Sequence, residues 1–205
     1  MSTAGNASTM MDWARLMRQP ASYIDLGRLD ACFNNKAGMA VCERLRGAGR
    51  LQERLSAAIT EHYALADPIA PEVLSPADQA IALLGVEELT DLIRRAGAIF
   101  WANAIANVVL AADVRWLHER LGGELCALAL ANRNLAGPAP ALEPLESVDA
   151  RIREDGERCL AAWCRVQPEA VGARVRLKRA ASAALDDAPQ NPFDEIGPPI
   201  VRCAA

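Results

Sequence analysis

Reactive side chains are sparse in this chain. Only 4% of its 205 residues are aromatic, and its two histidines, His62 and His118, stand far apart with no His-x-x-x-His and no acids at ligand spacing. A lone imidazole without a partner gives neither a proton relay nor a metal site. The six cysteines, at positions 32, 42, 126, 159, 164 and 203, form no Cys-x-x-Cys pair and have no histidine companions. That leaves out a zinc site and a disulfide framework, and reduced, mostly buried thiols are expected. There is no G-x-x-x-x-G-K-[ST] phosphate loop and no G-x-S-x-G elbow. Gly47-Ala48-Gly49-Arg50 lacks both the lysine and the preceding strand that a phosphate cradle needs. No basic n-region with an apolar h-region opens the chain, so a cytoplasmic location is expected. The central uncharged stretch, Ala96 to Ala112, is seventeen residues long and contains Gly97, Asn103 and Asn107. It falls short of the roughly 20 apolar residues of a membrane span and reads as a buried core hairpin. No catalytic, metal or cofactor-binding residue and no small-molecule substrate is expected, and the chain reads as a packing and interaction protein.

What is present favours helix. Ala, Leu and Arg are abundant and Thr and Tyr are few, which implies an all-α fold: a compact multi-helix domain of short helices with a C-terminal helical pair. Residues 1–8 are small and polar and are expected to be disordered. A helical core domain is expected over 9–136. Within it, Trp13, Leu16 and Met17 share a helix face that Pro20 ends, and Gly47-Ala48-Gly49 breaks the pattern running from Met39 to Leu65. Ser75-Pro76-Ala77-Asp78 combines a capping hydroxyl, a proline suited to the first helical position and a capping-box acid. Val86, Leu89, Ile93, Ala96 and Phe100 recur at helical spacing. Three prolines between 138 and 144 predict an extended linker over 137–144. A helical pair follows over 145–185, its first helix striped by Leu145, Val148, Ile152, Cys159, Leu160 and Trp163. The proline-rich end, 186–205, is expected to be a flexible tail.

The net charge of −4 argues against a surface built wholly for nucleic acid. One basic run stands out: Arg174, Arg176, Lys178 and Arg179. On a helix these side chains wrap around the axis, which suits a solvated face or an acidic protein partner. The alternative is a helical nucleic-acid-binding regulator using 174–179, and the lack of interleaved aromatics counts against it. The candidate partner-binding residues are these four together with Trp13, as an exposed anchor, and Tyr23 and Ile24.

Two segments carry a family resemblance. Arg18-Gln19-Pro20-Ala21-Ser22-Tyr23-Ile24, followed by Leu29, resembles the Pro-x-x-Tyr-Ile element of the SctK family (YscK-like and NolU-like proteins), with Asp25 where that element carries histidine. The run from Leu89 through Gly97, Trp101, Ile105, Val109, Val114, Leu117, Leu121-Gly122 and Leu125 to Ala129-Leu130 is similar to the family's leucine-rich block. The resemblance implies a non-enzymatic accessory protein of bacterial type III secretion. Such a protein is cytoplasmic and peripheral at the inner-membrane apparatus, and it touches the membrane only through its partners. It would join an SctD-like inner-membrane ring protein to an SctQ-like pod protein of the sorting platform.

Overall fold

The computed structural model describes residues 3–139, 142, 144–188 and 190–205, the side chains of residues 3–8 and 145 excepted. Among them the fold is all-α, with no strand. The first six helices are α1 (Thr3–Arg18), α2 (Leu26–Ala31), α3 (Met39–Gly47), α4 (Gln52–His62), α5 (Pro76–Leu83) and α6 (Val86–Phe100). Four more follow as α7 (Ala102–Ala106), α8 (Ala111–Leu121), α9 (Gly123–Ala131) and α10 (Val148–Val166). The last three are α11 (Glu169–Leu177), α12 (Ala183–Asp186) and α13 (Phe193–Ala204). The small polar N-terminus is thus helical from Thr3 onward, while Met1 and Ser2 lie outside the described residues.

Two compact units share the chain, one made of Met1–Val86 with Gln167–Ser182 and the other of Glu87–Val166 with Ala183–Ala205. This partition differs from the boundaries expected from composition. Residues 9–136 span parts of both units, and the pair over 145–185 is divided, α10 falling in the second unit and α11 in the first. The reason is apolar matching at long range. The buried face of α11 (Ala170, Val171, Val175, Leu177) joins the first unit, where Leu177 belongs to one core cluster with Ile24, Leu29, Leu55 and Ile59.

In the first unit, local chemistry sets the helix ends. Asp25 caps α2, its Oδ1 accepting from the Gly27 and Arg28 N–H groups at 2.9 and 3.2 Å. At α5, Ser75 Oγ accepts from Asp78 N–H at 3.1 Å and donates to Asp78 Oδ2 at 2.7 Å, with Pro76 at the first position. The Gly47–Gly49 break falls between α3 and α4, as the sequence predicts.

The second unit is built on close helix approach. Gly97 of α6 lies against the Ile152 carbonyl of α10, and Gly156 of α10 lies against the Ile93 carbonyl of α6. A Cβ at either position would drive into backbone, so these glycines set the spacing of the two helices. Beside them Trp101 Nε1 donates to Asp155 Oδ2 at 2.7 Å, and Asp155 Oδ1 accepts from Arg158 at 2.5 Å. Asp155 stands three residues after Ile152 and four before Cys159, on the apolar stripe itself, and there it is buried and paired.

The C-terminal end is packed, contrary to the flexible tail expected over 186–205. α13 lies along α10, with Gly197 against Ala162 and Cys159, and Gly197, Pro198, Ile200, Val201 and Ala204 are buried. Phe193 stacks on Phe100 at 4.5 Å. Pro198 and Pro199 remove the N–H groups that would meet the carbonyls of Asp194 and Glu195. Both of those residues are exposed, and apolar burial on α10 holds the helix. The expected linker also begins as packed chain. Gly137 N–H donates to Phe100 O at 3.0 Å, Asn103 Nδ2 donates to Gly137 O at 2.9 Å, and Gly137 is buried. Pro140, Ala141 and Glu143 of that segment lie outside the described residues.

Candidate interaction surfaces

The residues singled out from sequence cluster in the first unit, and most of them face inward. Trp13, expected as an exposed anchor, is 4% exposed, and its Nε1 donates to Ile69 O at 2.8 Å. The periodicity that placed it beside Leu16 and Met17 is the signal of a core face. Ile24 is fully buried, and Tyr23 is half-buried with its hydroxyl donating to Leu16 O at 2.7 Å. Burial pushes the Tyr23 phenol well above its usual range.

The basic run turns inward as well. Arg174 is 1% exposed and donates to the carbonyls of Met17, Ala66 and Ala170 at 3.0, 3.0 and 2.8 Å. Lys178 is 5% exposed, and its Nζ donates to Ala82 O and Leu84 O, both at 2.7 Å. Arg176 and Arg179 are half-buried. Met17 sits in the last turn of α1, and Ala82 and Leu84 sit at the end of α5. Carbonyls at helix C-termini lack intrahelical donors and carry partial negative charge, which makes a buried cation an effective cap. Arg28 does the same for α11, its Nε reaching Arg179 O at 2.6 Å. In the second unit, Arg94 caps α8 through Arg120 O and Leu121 O at 3.3 and 3.2 Å. The 174–179 segment therefore presents no continuous cationic face for phosphates, and the nucleic-acid alternative loses its basis.

The surface that sequence reading missed lies in the second unit. The uncharged stretch 96–112 is core only through Ile105. Beyond α7 the chain turns outward, leaving Val109 87% and Leu110 65% exposed. Next to this ridge a cavity of about 250 Å³ is floored by Ile105, Val108, Val114, Leu117 and Leu130. Asn107 ends α7, and α8 starts at Ala111, two residues ahead of Asp113, a residue suited to capping. That early start strands Val109 and Leu110 in a connection. Asn107 inside an apolar run was the available signal, because an amide there marks a helix end more readily than a core position. Gly122, at φ +90°, then turns the chain from α8 into α9.

These features define an all-α protein in which Arg28, Arg94, Arg174 and Lys178 are taken up by helix ends and whose second unit keeps apolar side chains exposed beside a groove. The family model described as "YOP proteins translocation protein K (YscK)" matches residues 11–203. The chain belongs to the YscK (SctK) family and is a type III secretion-related protein. Two curated relatives, both described as Nodulation protein NolU, come from Rhizobium fredii and from Sinorhizobium fredii strain NGR234. Each is 27% identical over 170 residues, covering 82% of this chain and 74% of the relative. No solved structure matches the chain. No described helix is long and apolar enough to cross a membrane.

Proposed function

We propose that this protein is a non-enzymatic adaptor of a type III secretion system, bridging an SctD-like inner-membrane ring protein and an SctQ-like pod protein in the cytoplasmic sorting platform. The observation that carries the reading is the family match over residues 11–203. The exposed apolar ridge at Val109–Leu110 supports it, because contiguous apolar side chains left in water mark docking surfaces more often than chance would. The adaptor works by shape and desolvation and reaches the membrane only through its partners.

Co-purification is the direct test. The tagged protein, expressed in secretion-competent cells with ring and pod proteins of its own system, is expected to retain both partners together. Ring and pod proteins that both pass through unretained, under conditions where the pod still binds its stator, would sink the reading.

A further inference from the structure

A groove of about 470 Å³ opens in the first unit where α1, α4, α11 and residues 65–68 meet. One face of α4 lines it, since Glu53, Ser56, Ala57, Thr60 and Glu61 recur at i, i+3, i+4, i+7 and i+8. Met17, Leu65 and Pro68 add an apolar wall. Three carboxylates belong to the lining, those of Glu53, Glu61 and Asp67, and all three residues are exposed. Glu53 and Glu61 have no ion-pair partner among the described residues. The opposing cations are Arg18, which is exposed, and Arg174, which is 1% exposed, engaged by three carbonyls and acted on by the charge of Asp67. Counted whole, the lining carries one net negative charge. With Arg174 and Asp67 set aside together, Glu53 and Glu61 still outnumber Arg18, so the sign rests on exposed, unpaired carboxylates.

Two buried donors in the same lining lack acceptors. Ser56, 5% exposed, accepts from Ala21 N–H at 3.4 Å, but its own hydroxyl proton has no acceptor among the described residues, and neither does Arg174 Nη2. Buried donors in that condition call for an oxygen from outside the chain. We infer that this groove docks an extended, lysine- or arginine-bearing peptide segment of a partner protein, its cations on Glu53 and Glu61 and a main-chain carbonyl at the Ser56 and Arg174 donors. The spacing agrees. Eight residues of helix rise about 12 Å and four residues of extended chain cover about 13 Å, so side chains at positions i and i+4 of the peptide meet both glutamates. Phosphates would meet like charge at the same carboxylates, which disfavours a nucleic acid or an anionic lipid surface. The inference rests on the adaptor reading for the peptide's source only.

Fluorescence anisotropy on the full chain tests it. The probes are a fluorescein-labelled decapeptide alternating lysine with alanine and its glutamine-for-lysine counterpart. The lysine peptide is expected to bind about tenfold more tightly than the glutamine peptide and to weaken as salt rises. Glu53→Gln with Glu61→Gln is expected to lose about tenfold, whereas Asp12→Asn with Glu43→Gln, the same change of net charge outside the groove, should stay within about twofold. Ser56→Ala should lose about threefold, and Arg18→Gln should tighten binding by about threefold because it removes the opposing charge. Circular dichroism melts confirm that each variant is folded. Equal binding of the two peptides, or equal losses from the two paired acid changes, would overturn the inference. So would sedimentation in which the unaltered chain dimerises and the Glu53→Gln, Glu61→Gln variant does not, since the groove would then belong to a second copy. Loss of peptide binding with both secretion partners still retained would remove this groove from the picture and leave the adaptor reading standing.

Discussion

Arg174 shows how much one side chain can hold together. Its guanidinium reaches three backbone carbonyls from three parts of the first unit while almost wholly shielded from water. Desolvation pulls its pKa below the usual value, yet an arginine so placed stays charged. Arg174→Met keeps the volume and strands the carbonyls, so it should lower the unfolding free energy in urea by about 3 kcal/mol. Arg176→Met, at a half-buried position two residues away, should stay within about 0.5 kcal/mol. Equal effects at the two positions would contradict the capping role. Cysteine chemistry offers a second check at this scale. Cys126 and Cys159 are buried, and burial pushes both thiols up, so little thiolate forms at pH 8. Native-state alkylation should mark the half-buried Cys32 and Cys203 first and reach Cys126 and Cys159 only after unfolding. Thiols whose folded pKa is raised lend stability that is intact below the unfolded pKa and is lost as pH rises, so urea midpoints should fall above about pH 9.

Among the elements, α6 and α10 depend on the absence of two side chains. Gly97→Ala or Gly156→Ala would press a methyl into a carbonyl on the opposite helix and should cost about 2–4 kcal/mol, read by thermal melting. Gly123→Ala, with nothing near a Cβ, is the matched control and should change little. For the ridge the expected sign differs. Val109→Ser with Leu110→Ser should leave the melting temperature within a degree or two, whereas Leu117→Ala in the floor of the adjoining groove should cost about 3 kcal/mol. α13 is the last case. A chain ending at residue 191 should expose the α10 face that α13 covers, and the resulting sample should bind more hydrophobic dye and aggregate at lower temperature.

Over the whole molecule, the chain leaves the first unit after Val86, builds the second through Val166, returns for Gln167–Ser182 and ends in the second. The start of α5 was legible residue by residue. Ser75, Pro76 and Asp78 act within three positions of one another, and the stripe Val148, Ile152, Cys159, Leu160, Trp163 is buried as its spacing implied. The division into units was not legible. Prolines at 138, 140 and 144 suggested a boundary that falls inside a unit, while the true crossings at 86–87, 166–167 and 182–183 are marked at most by a single residue, Gly85 or Pro168. At this scale the expected outcome is the joint retention of ring and pod proteins, measured by co-purification.

By itself the sequence determined the all-α class, the capped start of α5 and the family, because these depend on propensities and spacings within a few residues or on whole-chain similarity. The tertiary structure decided which cations are buried, where the units divide and which apolar residues stay in water. Arg174 meets Met17 across 157 positions, and Lys178 meets Ala82 across 96. A basic run reads as surface until distant helix ends arrive to accept its hydrogen bonds, and no local pattern encodes that meeting.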